Sequence, residues 1–120
     1  MAHKDNMEHP DNVKLSYKVE GTGYDFFPKV FDYDVVDEWK KSNDKESFRM
    51  ARRLIREEGL FVGGSSGSAM QAAIEVCQYL PADKRVVVLF ADGVRNYMTK
   101  FLNNDYMLEN GFYDIVNIFN

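Results

Sequence analysis

The chain has 120 residues, 45% of them apolar and 28% charged, with a formal net charge of −4 at pH 7. That composition fits one small globular domain, able to bury roughly two-thirds of its unfolded surface, and not a disordered chain. The acidic balance leaves no basic footprint for nucleic acid and no apolar run approaches the roughly 18 residues of a membrane span, while the single cysteine, Cys77, excludes an intrachain disulfide framework and points to a reducing, cytoplasmic compartment.

Residues 1–14 are polar, carry Pro10 and show no periodicity, so a disordered tail is expected there. Met1-Ala2-His3-Lys4-Asp5 lacks the apolar core of a signal peptide. His3 and His9 have no nearby carboxylate or cysteine cluster, and no metal site is predicted. Leu15, Tyr17 and Val19 alternate with polar residues in the period of a half-buried strand. Gly21-Thr22-Gly23-Tyr24 breaks that strand; without a third glycine or a following helix it is no dinucleotide fingerprint. Phe26, Phe27 and Pro28 continue as irregular packed chain. Asp32, Asp34, Asp37 and Glu38 then read as a solvated edge, not as a shared-proton or metal site.

A first helix starts near Asp44, where Asn43 as N-cap and Glu46 three residues on form a capping-box pattern. Phe48, Ala51, Leu54 and Ile55 fall on one face. Arg49, Arg52, Arg53 and Arg56 are expected on the solvent face with intrahelical partners, and Gly59 closes the helix. Residues 60–62 (Leu-Phe-Val) form a short apolar strand, followed by Gly63-Gly64-Ser65-Ser66-Gly67-Ser68 and a helix over 69–80. The three glycines are expected to take left-handed angles and admit a close ligand, with the serines as N-caps. A helix opening this way offers free N–H groups to a phosphate, a carboxylate or an electron-rich ring atom; on composition alone it is simply a tight strand-to-helix turn. Ala69, Ala72, Ala73, Val76, Cys77 and Leu80 give this second helix an apolar stripe, with Cys77 as a small buried hydrophobe, and Pro81 stops it. Residues 85–91 (Arg-Val-Val-Val-Leu-Phe-Ala) read as a strand covered on both faces, as in a parallel sheet. Asp92-Gly93 breaks it at the carboxyl end, where open α/β sheets place their ligands. Weak helical pattern over 94–104 and a last turn over 105–110, closed by Gly111, complete an α/β order of parallel-sheet layers with flanking helices.

Gly63-Gly64-Ser65-Ser66-Gly67 also matches G-x-S-x-G between strand and helix, the setting of a nucleophile elbow, with Asp92 as the acid of a serine hydrolase. The base fails: both histidines lie in the N-terminal tail, and an unassisted hydroxyl is a poor nucleophile. A Walker loop fails as well, because Ser68-Ala69 stands where the lysine belongs.

Over residues 19–112 the sequence resembles the C-terminal part of the catalytic domain of cystathionine β-synthase, a fold-type II (tryptophan synthase β-like) pyridoxal-phosphate (PLP) enzyme. The resemblance is carried by Val19-Glu20-Gly21-Thr22-Gly23-Tyr24-Asp25-Phe26, Lys41-Ser42-Asn43-Asp44, Glu58-Gly59-Leu60 with Gly63-Gly64-Ser65-Ser66-Gly67-Ser68, then Asp92, Val94-Arg95-Asn96-Tyr97-Met98-Thr99-Lys100-Phe101-Leu102, Met107-Leu108 and Gly111-Phe112. It implies pyridoxal 5′-phosphate as cofactor, with Ser65 hydrogen-bonding the pyridine nitrogen beside Gly63, Gly64 and Gly21, and with Gly23 and Tyr24 lining the pocket for a thiol substrate. A neutral hydroxyl at that nitrogen makes the ring a weaker electron sink, which suits β-elimination and replacement. The implied reaction condenses serine with homocysteine to give cystathionine and water, a carbon–oxygen lyase step in transsulfuration and cysteine biosynthesis.

Two departures stand out. Ala91 and Gly93 flank Asp92 where relatives usually show Pro and Ser, which leaves that wall of the pocket less rigid. The family's Schiff-base lysine, phosphate-cradling loop and substrate-carboxylate loop match nothing here: none of Lys4, Lys14, Lys18, Lys29, Lys40, Lys41, Lys45, Lys84 or Lys100 sits in a comparable context, so no catalytic residue is assigned. Neither a haem-binding segment nor a regulatory pair is matched. The expected organisation is a tail over 1–14, a partial catalytic domain over 15–112 and a tail over 113–120. The expected behaviour is that of an incomplete chain, inactive by itself, with small amino-acid substrates as ligands and a homo-oligomer or association with full-length synthase as its assembly. The alternative is a non-catalytic truncated paralogue that docks on full-length synthase.

Overall fold

The structure, a computed structural model, describes residues 17–23 and 26–119 and is organised around two helices laid against each other. The first, α1 (Asp44–Glu58), begins where the sequence pattern places it: Asn43 Oδ1 accepts from the Glu46 N–H at 2.9 Å. It ends on Gly59 in the left-handed region (φ 68°), with the Gly59 and Leu60 N–H groups both turned back onto the Leu54 carbonyl. Arg49 pairs with Glu46 and Arg53 with Glu57, one turn apart on the solvent side.

Arg52 breaks the expectation of an all-solvent arginine face. It is fully buried, and its guanidinium binds backbone on the far side of the core. The spacing explains this: position 52 lies four residues after Phe48 and three before Ile55, on the apolar stripe itself.

The second helix, α2 (Gly64–Cys77), starts earlier and stops earlier than the expected 69–80. Gly63 is its N-cap and makes no side-chain cap bond, so the serines are not caps; Ser65, Ser66 and Ser68 lie within the first turns. Nor are Gly63, Gly64 and Gly67 left-handed: the glycines with positive φ are Gly21, Gly23, Gly59 and Gly111. Close packing is what demands glycine in the motif. A Cβ on Gly67 would strike the Ser47 carbonyl oxygen and lie 2.7 Å from the Ala51 nitrogen; one on Gly64 would lie 3.0 Å from Phe48 Cε1. The helices thereby approach closely enough for the Ser68 hydroxyl to donate to Ser47 Oγ at 2.7 Å, while Ser47 donates to the Asn43 carbonyl at 2.6 Å. At the other end of α2, Cys77, the last residue of the helix, is exposed and not buried.

Beyond α2 the chain turns at residues 78–80 and again at Pro81–Lys84, crosses to Asp92 without regular structure, makes a 3-10 turn (Val94–Tyr97), then α3 (Asn104–Glu109), capped by Asn103, and a 3-10 helix (Tyr113–Phe119). The last of these, expected as a tail without a family reading, packs on α1 and buries Ile115 completely. Asp114 pairs with Lys45, and the Ile118 carbonyl accepts from Arg56. One core cluster contains Val19, Phe48, Ala51, Phe101, Met107 and Ile115, with the Phe48 and Phe101 rings stacked at 5.4 Å. A second joins Met50, Leu54 and Val62. Asp32, in the expected acidic edge, accepts from the Asp34 N–H at 2.9 Å and caps a 3-10 turn (Tyr33–Val35).

The expected parallel sheet is not formed among the described residues. The segments at 60–62 and 85–91 form no ladder with each other, and the isolated bridge among the described residues is an antiparallel one between Val62 and Gly93. The Gly63 N–H donates to the Asp92 carbonyl at 3.1 Å and the Val94 N–H to Phe61 at 3.0 Å. Val87 and Leu89 are 87% and 83% exposed. A strand apolar on both faces needs partner strands and covering helices distant in sequence. Of the first predicted strand, Leu15 lies outside the described residues; Val19 is buried and Tyr17 is not in a ladder. Among the described residues, no helix is long and apolar enough to cross a membrane.

Candidate active site

The opening of α2 gathers the motif residues. Gly63 and Gly64 are buried, Ser66 and Ser68 are 1% and 7% exposed, and Ser65 alone of the three hydroxyls is half-buried. The N–H groups of Gly64 and Ser65 have no preceding helical carbonyl, so Ser65 presents a neutral hydroxyl at the positive end of a 14-residue helix.

Two walls flank this turn. On one side, Asp92 and Tyr97 press against Gly63: a Cβ there would strike Asp92 Oδ1 and lie 2.9 Å from Tyr97 Cε2. The Tyr97 hydroxyl donates to Asp92 Oδ2 at 2.5 Å. That bond, burial, and the negative charges of Asp92 and Glu20 push the Tyr97 phenol up to about 12. The sequence places Asp92 at a strand end, in a pocket wall and as a candidate hydrolase acid, and Tyr97 in the run that carries the resemblance, but it does not pair the two; the pairing depends on the bend at Gly93, which no local pattern reports. Asp92 is bonded to a tyrosine, and no Ser–His–Asp relay is formed among the described residues; His3 and His9 lie outside them.

On the other side stands the 17–23 segment. Val19 Cγ1 lies 3.7 Å from the place a Gly64 Cβ would take, so the approach to Gly21 and Gly23 runs directly past the motif. Asp44, in the first turn of α1, fixes this segment by accepting from the Lys18 and Val19 N–H groups at 2.8 and 3.0 Å. Gly21 (φ 82°) and Gly23 (φ 71°) need the left-handed region, and Tyr17's ring closes over Gly23, where a Cβ would be 2.7 Å from Tyr17 Cδ2. Tyr24, predicted for the pocket, lies outside the described residues.

The donor set suits the nitrogen end of a pyridine ring. It offers an uncharged hydroxyl on a helix opening, a turn that tolerates no added Cβ, and one buried hydroxyl, Ser66 Oγ, without a partner among the described residues. None of Lys18, Lys45 or Lys100 adjoins Ser65 through a bond; Lys45 and Lys100 are paired with Asp114 and Glu20. Among the described residues, no group of three or more His, Cys, Asp or Glu could hold a metal ion.

Comparison with known proteins is consistent with this geometry. Residues 2–92 match the family model "Pyridoxal-phosphate dependent enzyme". The chain is 57% identical over 107 residues to a cystathionine beta-synthase of Dictyostelium discoideum, covering 89% of this chain and 22% of that protein. It is 43% identical over 117 residues to that of Saccharomyces cerevisiae, covering 95% and 23%. A crystal structure of an O-acetylserine dependent cystathionine beta-synthase from Helicobacter pylori superposes with a TM-score of 0.65 at 35% identity, over 71% of this chain and 28% of that one. The chain thus spans about a fifth of the length of the curated relatives it matches. It belongs to the family of pyridoxal-phosphate dependent enzymes, whose cofactor is pyridoxal phosphate, and its relatives within that family include cystathionine β-synthases.

Proposed function

We propose that these residues form the pyridine-nitrogen wall and one substrate wall of a cystathionine β-synthase site, in which serine and homocysteine are condensed to cystathionine and water. The observation that carries the reading is the half-buried Ser65 hydroxyl at the opening of α2, hemmed by Gly63 against Asp92 and by Gly64 against Val19. When bound, pyridoxal phosphate draws electrons from the α-carbon of an amino acid so that a β-substituent can leave. Ser65 holds the ring nitrogen through a neutral hydroxyl that brings no acidic proton, while Gly63 and Gly64 leave room for the ring edge. Gly21, Gly23 and Tyr24 shape the entry of the thiol. The apolar segments at 60–62 and 85–91 take their places as strands in the parallel sheet of the fold-type II architecture.

The 120 residues alone are proposed to be catalytically silent, since no lysine here has been matched to the Schiff-base position. Mixed with pyridoxal phosphate, the chain should develop no visible absorbance band, and borohydride should fix no adduct to a unique lysine. A chimera tests the site itself: residues 17–119 replace the matched segment of the Dictyostelium synthase. Cystathionine formation from serine and homocysteine, reduced on Ser65→Ala with the fold intact, supports the reading. A folded, cofactor-loaded chimera that accepts O-acetylserine but not serine would refute the substrate assignment.

A second reading is favoured by the exposed, unpaired 85–91 segment: a non-catalytic chain that associates with a full-length synthase or with itself. Co-purification with such a synthase in stoichiometric amount would support it.

A further inference from the structure

The two walls of the site are separate in sequence, yet one line of side chains joins them. Lys100 Nζ pairs with Glu20, the residue immediately before Gly21, and stands 6.0 Å from the centre of the Tyr97 ring. Tyr97 in turn donates to Asp92, and the Asp92 carboxylate and the Tyr97 ring edge together fill the space against Gly63. The Asp92 carbonyl holds the Gly63 N–H at 3.1 Å. Lys100 also donates its own N–H to the Tyr97 carbonyl at 3.0 Å, so the lysine and the tyrosine move as one turn.

We propose that Lys100 is a positioning residue: paired with Glu20, it sets the Gly21–Gly23 loop at a fixed distance from the Ser65-bearing turn, acting through Tyr97 and Asp92. The inference rests on reading those two segments as cofactor and substrate walls, but the linkage is a property of the chain without cofactor and is tested without it. Glu20 and Lys100 are about half exposed, so their replacement removes a tie and creates no buried charge. The Asp44 bonds anchor the base of the loop at Lys18 and Val19, which leaves the Lys100 pair to hold its rising end.

Amide hydrogen exchange on the intact 120-residue chain reads both walls at once. Lys100→Glu should quicken exchange at Val19 and at Gly63 together, by up to about fivefold, the range that loss of an exposed ion pair spans, with no change at Leu54 in the core. The charge swap Glu20→Lys with Lys100→Glu should restore both rates. In a Tyr97→Phe background, which cannot donate to Asp92, Lys100→Glu should move Val19 and leave Gly63 alone. Should the reversal alter folding itself, wild-type chain in 1 M KCl supplies the same measurement, because a Debye length of about 3 Å screens the pair. A response confined to Val19 overturns the linkage, as does an equal acceleration at Leu54, which would mark a general loss of stability. Failure of the swap to restore Gly63 overturns it too. None of these outcomes bears on whether Ser65 meets a pyridine nitrogen.

Discussion

Replacing Arg52 tests the least expected feature of the fold. Its guanidinium is fully buried; Nε donates to the Phe101 carbonyl at 2.7 Å, and Nη1 to Asn104 Oδ1 at 2.9 Å and to the Ile115 and Val116 carbonyls at 3.2 Å. The Phe119 ring lies 4.7 Å from Cζ. None of these hydrogen-bond partners is a carboxylate, and burial alone lowers the group to about 10. That shift corresponds to on the order of 3 kcal/mol of desolvation left uncompensated. Arg52→Ala relieves this cost but takes the guanidinium donors from two buried carbonyls, of Phe101 and Ile115, at about 2 kcal/mol each, and opens a cavity costing about 2 kcal/mol more. The net loss is about 3 kcal/mol, a large part of a stability on the order of 10 kcal/mol. Arg52→Met keeps the stem volume and avoids the cavity, so it should lose only about 1 kcal/mol. Urea unfolding followed by far-ultraviolet circular dichroism, with the m-value held common, measures both. If Arg52→Ala falls within about 0.5 kcal/mol of wild type, the guanidinium does not clamp the 101–119 segment to α1 and the account is wrong.

Gly67→Ala should destabilise by about 3 kcal/mol in the same assay, because the new methyl meets backbone of α1, which cannot swing aside; a cost below about 1 kcal/mol would mean the helices separate freely. Ser66→Ala should stabilise the chain by about 1 kcal/mol, since it removes a buried hydroxyl with no partner among the described residues, and a loss of stability would reveal a bond to Ser66 Oγ. Tyr97→Phe carries a pH signature. The folded phenol is raised from 10.0 to about 12 by its bond to Asp92, then by burial and nearby negative charge, so its contribution is complete below pH 10 and is lost as pH rises toward about 12. The gap in urea midpoint between wild type and Tyr97→Phe should therefore close over that interval; the opposite-signed contribution of Arg52 is common to both chains and cancels. A gap that stays constant would show that Asp92 does not hold the phenol proton.

What the sequence reveals here is what short-range physics decides. The start and stop of α1 follow from Asn43, Glu46 and Gly59, all within one turn of the feature they specify. Ser65 is legible for a related reason, since the Gly-Ser run marks a helix opening whatever the rest of the chain does. The 85–91 run reads as a strand in sequence yet joins no sheet among the described residues, because pairing depends on residues far away in sequence. Arg52 lay on the apolar stripe by spacing and was assigned to solvent by charge alone; four acceptors from distant segments outweigh that charge. The Asp92–Tyr97 pair, five residues apart across a bend, has no periodic signature at all.

The glycines and the serine of the motif form one device. Gly64, Gly67 and Ser68 share the face of α2 that meets Phe48, Ser47 and Ala51, being three and four residues apart. Ser65 sits about 100° round the helix from Gly64, so burying that face fixes Ser65 to one side of it, half open. A residue with a Cβ at 64 or 67 would lift or rotate α2, and the Ser65 hydroxyl would turn with it. Small residues at 64 and 67 thus orient a hydroxyl two or fewer positions away. That is why sequence alone suggests a tight turn of left-handed glycines before a helix, whereas the folded chain holds the motif as the phased first turns of the helix itself.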